Sequence, residues 1–259
     1  MTHRRIVTVD AGNVDELGFF CVKNKKHPGY IAKRKWLERR FEEGMRINLI
    51  QTNDGQTAGF LETIPGEYTW RVVEAPGWLV IQCIWVASKK FPDKGMAPAL
   101  IENCLKNAAS GGKKGVAVVT SNGPWMAGKA FFLKNGFEQA DEAGPYYQLL
   151  IKRTGKGKAP AFPKNWDERL GRDRSLRLIY THQCPYIGKA VEELPPVADG
   201  FGADLNLIKL ESAAEARERM PSPYGTLALI YNGRLLADHP ISATRFKNIL
   251  QRDLKLDEK

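Results

Sequence analysis

The stretch from Trp78 to Ala109 limits the choice of fold more than any other part of this chain. Trp78 to Ala87 is apolar except for Gln82 and rich in β-branched and aromatic residues, which reads as a strand buried on both faces. A polar turn follows. Ala97, Leu100, Ile101, Cys104, Leu105 and Ala108 then recur at the spacing of one apolar helix stripe. Pro98 falls in the first turn of that helix, where a missing N–H costs nothing. A buried strand that turns through Lys94-Gly95-Met96-Ala97 into a helix presents free backbone N–H groups and a positive dipole end, an arrangement that binds phosphate.

The segment Pro92-Asp93-Lys94-Gly95-Met96-Ala97 resembles the pyrophosphate loop of the GNAT acyltransferases, whose pattern is Arg/Gln-x-x-Gly-x-Gly/Ala. Gly95 and Ala97 match the fourth and sixth positions. Pro92 departs from the first, and Lys89, Lys90 or Lys94 stand near enough in sequence to make up the charge. The resemblance implies that acetyl-CoA is the cosubstrate. It assigns the pantetheine arm to the backbone of Ile84, Trp85 and Val86, with their side chains in the core. It assigns the pyrophosphate to Asp93, Lys94, Gly95, Met96, Ala97 and Pro98.

The order of elements around this stretch agrees with that family. Ile6 to Val9 reads as a first strand, and a helix capped by Asp10 or Asn13 carries Leu17, Phe19 and Phe20. A second helix runs from Tyr30 to Glu43, with Gly44 at its end. Ile47–Gln51 and Ala58–Thr63 form a hairpin through Asp54-Gly55, and Glu67 to Val73 extends the sheet. Beyond the central helix, Gly115 to Ser121 is a buried strand. Asn122, a helix over Trp125–Lys134, Gly136-Phe137 and a last strand over Tyr146–Lys152 resemble the second GNAT signature. That signature implies Asn122 and Phe132 among the cofactor contacts.

The same resemblance sharpens the question of proton transfer, because acyl transfer to an amine needs a base for the ammonium and an acid for the leaving thiolate. Many GNAT enzymes place a tyrosine acid four residues before the Gly of Gly-Phe. Here that residue is Phe132, which can only pack. Tyr147 and Ser121 are the catalytic candidates, with Tyr146 and Tyr30 as further phenols. The central strand holds no carboxylate, so Glu62, Glu67, Glu74 or a water chain stays open as the base. Cys83 reads either as an acyl-accepting nucleophile or as a buried cysteine.

Thr154 to Pro163 is rich in Gly, Pro, Lys and Ala and reads as a linker. A second α/β pattern starts with the strand Leu176–Tyr180, a helix over Ile187–Leu194, a strand over Leu205–Leu210 and a short helix over Ser212–Met220. Ser212 and Glu215 form a capping box. A hairpin through Asn232-Gly233 and a helix from Ser242 to Leu254 complete it. This order resembles a small thioredoxin-like domain, with Cys184-Pro185-Tyr186-Ile187 at the place of the Cys-x-x-Cys motif and Gly225 at the place of its cis-proline. Ile187 replaces the second cysteine, so Cys184 is a possible thiol site without a resolving partner, and His182 could lower its pKa if protonated. A GNAT domain fused to such a tail resembles the YoaP-like acetyltransferases.

The expected fold is therefore α/β: a GNAT acyltransferase fold over residues 1–153, with a mixed, mostly antiparallel sheet and helices on both faces. A basic linker over 154–175 leads to a thioredoxin-like α/β domain over 176–259. Composition adds bounds. Val22–Arg46 and Lys152–Arg177 each carry +6, so the remainder of this +10 chain sums to −2. Neither basic segment has recurring aromatics for stacking bases, so solvated faces are expected rather than nucleic-acid binding. The absence of a long apolar run argues against a membrane span, and four cysteines without framework spacing point to the reducing cytoplasm. His27 and His239 stand alone, and no metal is expected. The function expected is N-acetyl transfer from acetyl-CoA to a small-molecule primary amine by a direct route. The tail would shape the acceptor site or pair two copies as a homodimer. The alternative is a thiol-active or partner-binding module whose GNAT part only binds CoA.

Overall fold

The computed structural model describes residues 4–87, 90–91, 95–144, 146–171 and 174–258. The chain divides into two compact units. One comprises Met1–Lys23, Leu37–Thr69 and Val73–Phe162; the other comprises Asn24–Trp36, Trp70–Val72 and Pro163–Lys259.

The first unit is built on a seven-stranded sheet of β1 (Arg5–Val9), β2 (Arg46–Gln51), β3 (Thr57–Pro65), β4 (Leu79–Val86), β5 (Gly115–Ser121), β6 (Glu138–Ala143) and β7 (Tyr147–Arg153). The strands lie in the order β1-β2-β3-β4-β5-β7-β6. Only β4 and β5 run parallel; every other neighbour pair is antiparallel. The helices of this part of the chain are α1 (Val14–Leu17), α3 (Met96–Ser110) and α4 (Lys129–Lys134), while α2 (Pro28–Glu42) has Pro28–Trp36 in the second unit and Leu37–Glu42 in the first. Leu100, Ile101, Cys104 and Ala108 of α3 are buried, as the periodicity predicts, together with Met96, while Ala97 and Leu105 of the expected stripe are half-buried. They share a core with Ile50, Leu61, Ile81, Val116, Val118, Phe132, Phe137 and Leu150. Strand alternation then fixes the opposite sheet face as that of Val9, Ile47, Leu49, Phe60, Glu62, Ala117, Val119 and Leu149.

Four expectations for this unit need correcting, the first being that α1 ends at Leu17, so Phe19 and Phe20 follow the helix rather than lie on it. Residues 67–73 do not extend the sheet: Gly66–Tyr68 is a single 3₁₀ turn, and Gln82 Nε2 donates to Thr69 Oγ1 at 2.9 Å just beyond it. α4 starts at Lys129 rather than Trp125, because Gly128 is still extended (φ −71°, ψ 152°). β6 is a strand despite its polar sequence Glu-Gln-Ala-Asp-Glu-Ala, since as a sheet edge it needs only the β7 ladder and mostly faces solvent. The Gly/Pro/Lys-rich stretch also makes defined contacts. Lys158 O accepts from Trp78 Nε1 at 3.0 Å, and Glu74 and Ala161 form an antiparallel bridge.

The second unit holds β8 (Leu176–Tyr180), β9 (Leu205–Lys209), β10 (Leu227–Tyr231) and β11 (Arg234–Ala237) in the order β11-β10-β8-β9. β8 and β9 are parallel; β10 is antiparallel to both β8 and β11. With α5 (Trp166–Leu170), α6 (Pro185–Gly200), α7 (Ala213–Arg219) and α8 (Ala243–Arg252), the run from β8 reads βαβαββα. α6 is longer than its sequence suggests and continues through Pro195 and Pro196. Ile187, Ala190, Leu194 and Ala198 are all buried in one core, and the burial of that stripe outweighs the two N–H groups the prolines remove. Ser212 caps α7 by accepting from Glu215 N, while the Glu215 carboxylate accepts from Glu211 N, one residue earlier than a standard capping box.

Candidate functional site

β4 is where the first sheet opens. It pairs with β3 along its length, from Leu79 to Val86, but with β5 only over Leu79–Ile81. The divergence begins at a β-bulge. Cys83 faces Glu62 and Ile81 faces Thr63, so the register shifts by one residue at Gln82. A bulge bends its strand and increases the local twist. β5 keeps its ladder with β7 through Ser121 and turns away with it. The β3 ladder thus continues to Val86 while the β5 ladder ends at Ile81, leaving a fork between β4 and β5. This corrects the reading of β4 as buried on both faces: Val80–Gln82 are buried, and burial is partial or lost beyond them.

The residues assigned to the pantetheine arm line one lip of the fork. Ile84 and Val86 pack their side chains against the α3 core. Trp85, expected in the core, points to the other face and is 52% exposed, because the pleat alternates and β5 is no longer beside it. Its ring lies against Phe20, with centroids 5.2 Å apart. Ser121 and Tyr147 are register partners at the ends of β5 and β7 on the opposite lip, and alternation puts both on the Trp85 face. Both are buried, at 4% and 8% exposure. Ser121 Oγ accepts from Gly123 N at 3.0 Å.

Of the loop residues, Asp93 and Lys94, with Pro92 and Lys89, lie outside the described residues. Gly95 is the N-cap of α3, followed by buried Met96, half-buried Ala97 and exposed Pro98. The first helical bond runs from Ala99 N to Gly95 O, so the Met96 and Ala97 amides lie ahead of the ladder, and no acidic side chain occupies the first turn. Lys90 is committed to Gln56 Oε1 at 2.9 Å. The cation beside Gly95 is instead Arg4, which sequence reasoning missed. A methyl group built on Gly95 would sit 2.6 Å from Arg4 Nη2 and 2.8 Å from its Cζ. Arg4 precedes β1 and is some ninety positions from Gly95, so no local pattern links them.

Asn122 is exposed just beyond β5, and its Oδ1 lies beside Gly128 at the start of α4. Phe132 has no exposed surface and packs edge-on to Phe131 and Phe137 at 5.0 and 5.4 Å. Its place is in the core, and its ring offers nothing for a cofactor to touch. The three carboxylates left open as bases differ sharply. Glu62 is fully buried opposite Cys83. Glu67 accepts from Gly77 N at 2.6 Å. Burial opposes its ionisation, but backbone hydrogen bonds and the charges of Lys113 and Lys114 hold its pKa below the ordinary value. Glu74 is exposed at the bridge to Ala161.

In the second unit Cys184 is the half-buried N-cap of α6, with Pro185 in the first turn and Ile187 fully buried. His182 stacks edge-on to Tyr180 at 5.6 Å. Its pKa is lowered, first by burial and then by Lys209, so the ring is neutral at neutral pH and lends Cys184 no positive charge. Gly225 adopts φ +76°, and no peptide bond among the described residues is cis.

A family model described as YoaP-like matches residues 204–248, which fall in the second unit. The chain is 25% identical over 249 residues to the Bacillus subtilis (strain 168) protein named "Uncharacterized N-acetyltransferase YoaP", covering 94% of this chain and 97% of that one. Among solved structures, a Bacillus subtilis acetyltransferase in complex with CoA matches 58% of this chain and 99% of its own, at 14% identity and TM-score 0.41. A ribosomal-protein-alanine N-acetyltransferase from Brucella melitensis matches 57% and 99%, at 16% and 0.41. An acetyltransferase of the GNAT family from Staphylococcus aureus matches 58% and 99%, at 10% and 0.40. No helix among the described residues is long and apolar enough to cross a membrane.

Proposed function

We propose that this chain, similar over nearly its whole length to a protein named as an N-acetyltransferase, is an acetyl-CoA-dependent N-acetyltransferase of the GNAT type acting on a small-molecule primary amine. The observation that carries the reading is the fork: β4 leaves β5 after Ile81, and the α3 N-terminus follows the same strand. An extended amide-bearing arm can pair with the open edge of Gln82–Val86 as a further strand would. The Met96 and Ala97 amides and the Arg4 guanidinium suit a pyrophosphate, which favours helix N-termini and a planar multidentate donor. The residues present therefore fit acetyl-CoA.

In this reading the β4 backbone fixes the thioester and its N–H groups polarise the carbonyl, so the amine meets an oriented acyl carbon. Tyr147, with Ser121 beside it on the facing lip, donates a proton to the departing thiolate. Glu62 has no surface with which to touch a substrate, and Glu67 and Glu74 belong to the other end of β4. The ammonium therefore gives its proton to water at the open side of the fork, next to half-exposed Trp85. Transfer is direct. Cys83 sits in register with buried Glu62, and no base stands beside it in sequence.

For the second unit we infer a thioredoxin-like fold, supported by the β11-β10-β8-β9 order, the parallel β8–β9 pair and a cysteine at the α6 N-cap. Without a resolving cysteine and with a neutral His182, its role is structural or partner-binding. The test of the whole reading is mass-spectrometric detection of the N-acetylated product from acetyl-CoA and a panel of primary amines. Turnover that Tyr147→Phe lowers and Cys184→Ala leaves intact is expected. Turnover lost in Cys184→Ala alone would move the chemistry to the second unit.

A further inference from the structure

We infer that the acceptor amine is carried on an aromatic or flat apolar body, seated against Trp85 and Phe20; the inference rests on the acetyltransferase reading above. Three aromatic side chains meet on the sheet face away from α3. Phe60 of β3 and Trp85 of β4 are cross-strand partners, and Phe20 lies on both, with centroid separations of 5.7 Å to Phe60 and 5.2 Å to Trp85. The interplanar angles of 38° and 44° make a wedge rather than a stack. Phe60 is buried at its base and Phe20 half-buried, while half of the Trp85 surface is open.

Two features set this cluster apart from ordinary core. Phe20 adopts φ +73°, a left-handed conformation that a bulky residue takes up only when its surroundings hold it there. The conformation sets its ring beside Trp85 at the end of the segment that follows α1. Leaving half an indole in water also forgoes burial that a core would use, and an aromatic flanked by another ring is a ready surface for a third.

The placement relative to the chemistry gives the cluster its role. Trp85 belongs to the part of β4 that lies beyond the end of the β5 ladder and the bulge at Gln82. The residue whose backbone would hold the acyl arm is therefore the residue whose side chain forms the seat. A ring bound against the indole, with its amino group on a short tether, would direct that group towards the β4 edge proposed to hold the acyl arm. The next register pair along the same face is Glu62–Cys83, so the apolar seat gives way to polar side chains on the side nearer the bulge. A polyhydroxylated amine would leave its hydroxyls facing indole and phenyl carbon without partners, which costs affinity.

The experiment compares 2-phenylethylamine with ethanolamine, using the full chain in two independent measurements. Equilibrium dialysis of 2-phenylethylamine against the CoA-saturated protein should show saturable binding, weakened about tenfold by Trp85→Ala and by Phe20→Ala. Product formation from acetyl-CoA should favour 2-phenylethylamine by about tenfold in kcat/KM, and Trp85→Ala should abolish most of that preference while sparing the slow rate with ethanolamine more. Binding that both variants leave unchanged, or an equal or reversed preference, overturns the aromatic seat. Binding that depends on Trp85 and Phe20 without acetylation of any amine upholds the seat and overturns the acetyltransferase reading instead.

Discussion

Arg4 offers the sharpest perturbation of the cofactor end, because its guanidinium lies over Gly95 where the α3 ladder begins. Arg4 is exposed and precedes the first strand, so Arg4→Ala should change stability by no more than about 0.5 kcal/mol. A hydrogen bond to a charged group contributes about 1.5–3 kcal/mol when well shielded. Solvent screening at an exposed site brings the expected loss down to about 1.4 kcal/mol, or tenfold in CoA affinity. Arg4→Lys should fall between the two, keeping the charge and losing the fork. Gly95→Ala tests the geometry from the other side. Its methyl group would lie 2.6 Å from Nη2, and the flexible end of the arginine must swing away. It should weaken CoA in the wild type and cost much less in the Arg4→Ala background, a coupling that a double-mutant cycle reads directly. Calorimetric titration with CoA at low and high salt, beside a phosphate-free acetylated pantetheine, is the assay. The salt dependence should shrink in Arg4→Ala, and the phosphate-free ligand should bind both proteins alike. Unchanged CoA affinity in Arg4→Ala, or equal weakening of both ligands, would refute the assignment.

Four further outcomes are expected. Phe132→Ala should lower stability by about 3–5 kcal/mol in chemical denaturation, since its whole ring is buried between Phe131 and Phe137, and Phe132→Leu should cost about 1 kcal/mol. Tyr147→Phe should reduce kcat by about a hundredfold with little change in KM for acetyl-CoA, and steady-state kinetics would show it. Burial holds His182 below its ordinary 6.5, so the unfolded chain takes up its proton first: the contribution to stability is full above pH 6.5 and is lost as the pH falls from there through the lowered folded value. The midpoint of thermal unfolding of the second unit should follow this slope, and His182→Phe should flatten it. Finally, burial pushes the Cys104 thiol up to about 12, so peptide mapping after alkylation at pH 8 should find Cys104 unlabelled and Cys184 labelled.

The parts legible from sequence were those encoded in local periodicity. The α3 stripe and the β8 strand appear where their residues put them, because each element buries one face and its spacing records which. What sequence hid depends on partners. The bulge at Gln82 is a mismatch between β3 and β4, and no single strand carries a sign of it. Trp85 looked like core because its neighbours are apolar; it is half exposed because β5 turns away. β6 carries no sequence signal since an edge strand can be polar, and local propensity ends α6 before Pro195 because it says nothing of the core that Leu194 and Ala198 share. Arg4 was invisible for the plainest reason: its relation to Gly95 exists only after β1 has paired with β2.

The central claim is that the open edge of β4 holds the acyl donor, and amide hydrogen exchange with and without acetyl-CoA tests it most directly. Peptides covering Gln82–Val86 should exchange more slowly in the presence of acetyl-CoA, because the strand edge beyond the end of the β5 ladder is covered by the bound arm. Peptides covering Met96–Leu100 should slow with them, and those of β8 to β11 should not change. Saturating acetyl-CoA that leaves Gln82–Val86 unprotected, or that protects Cys184 and the start of α6 instead, would contradict the account.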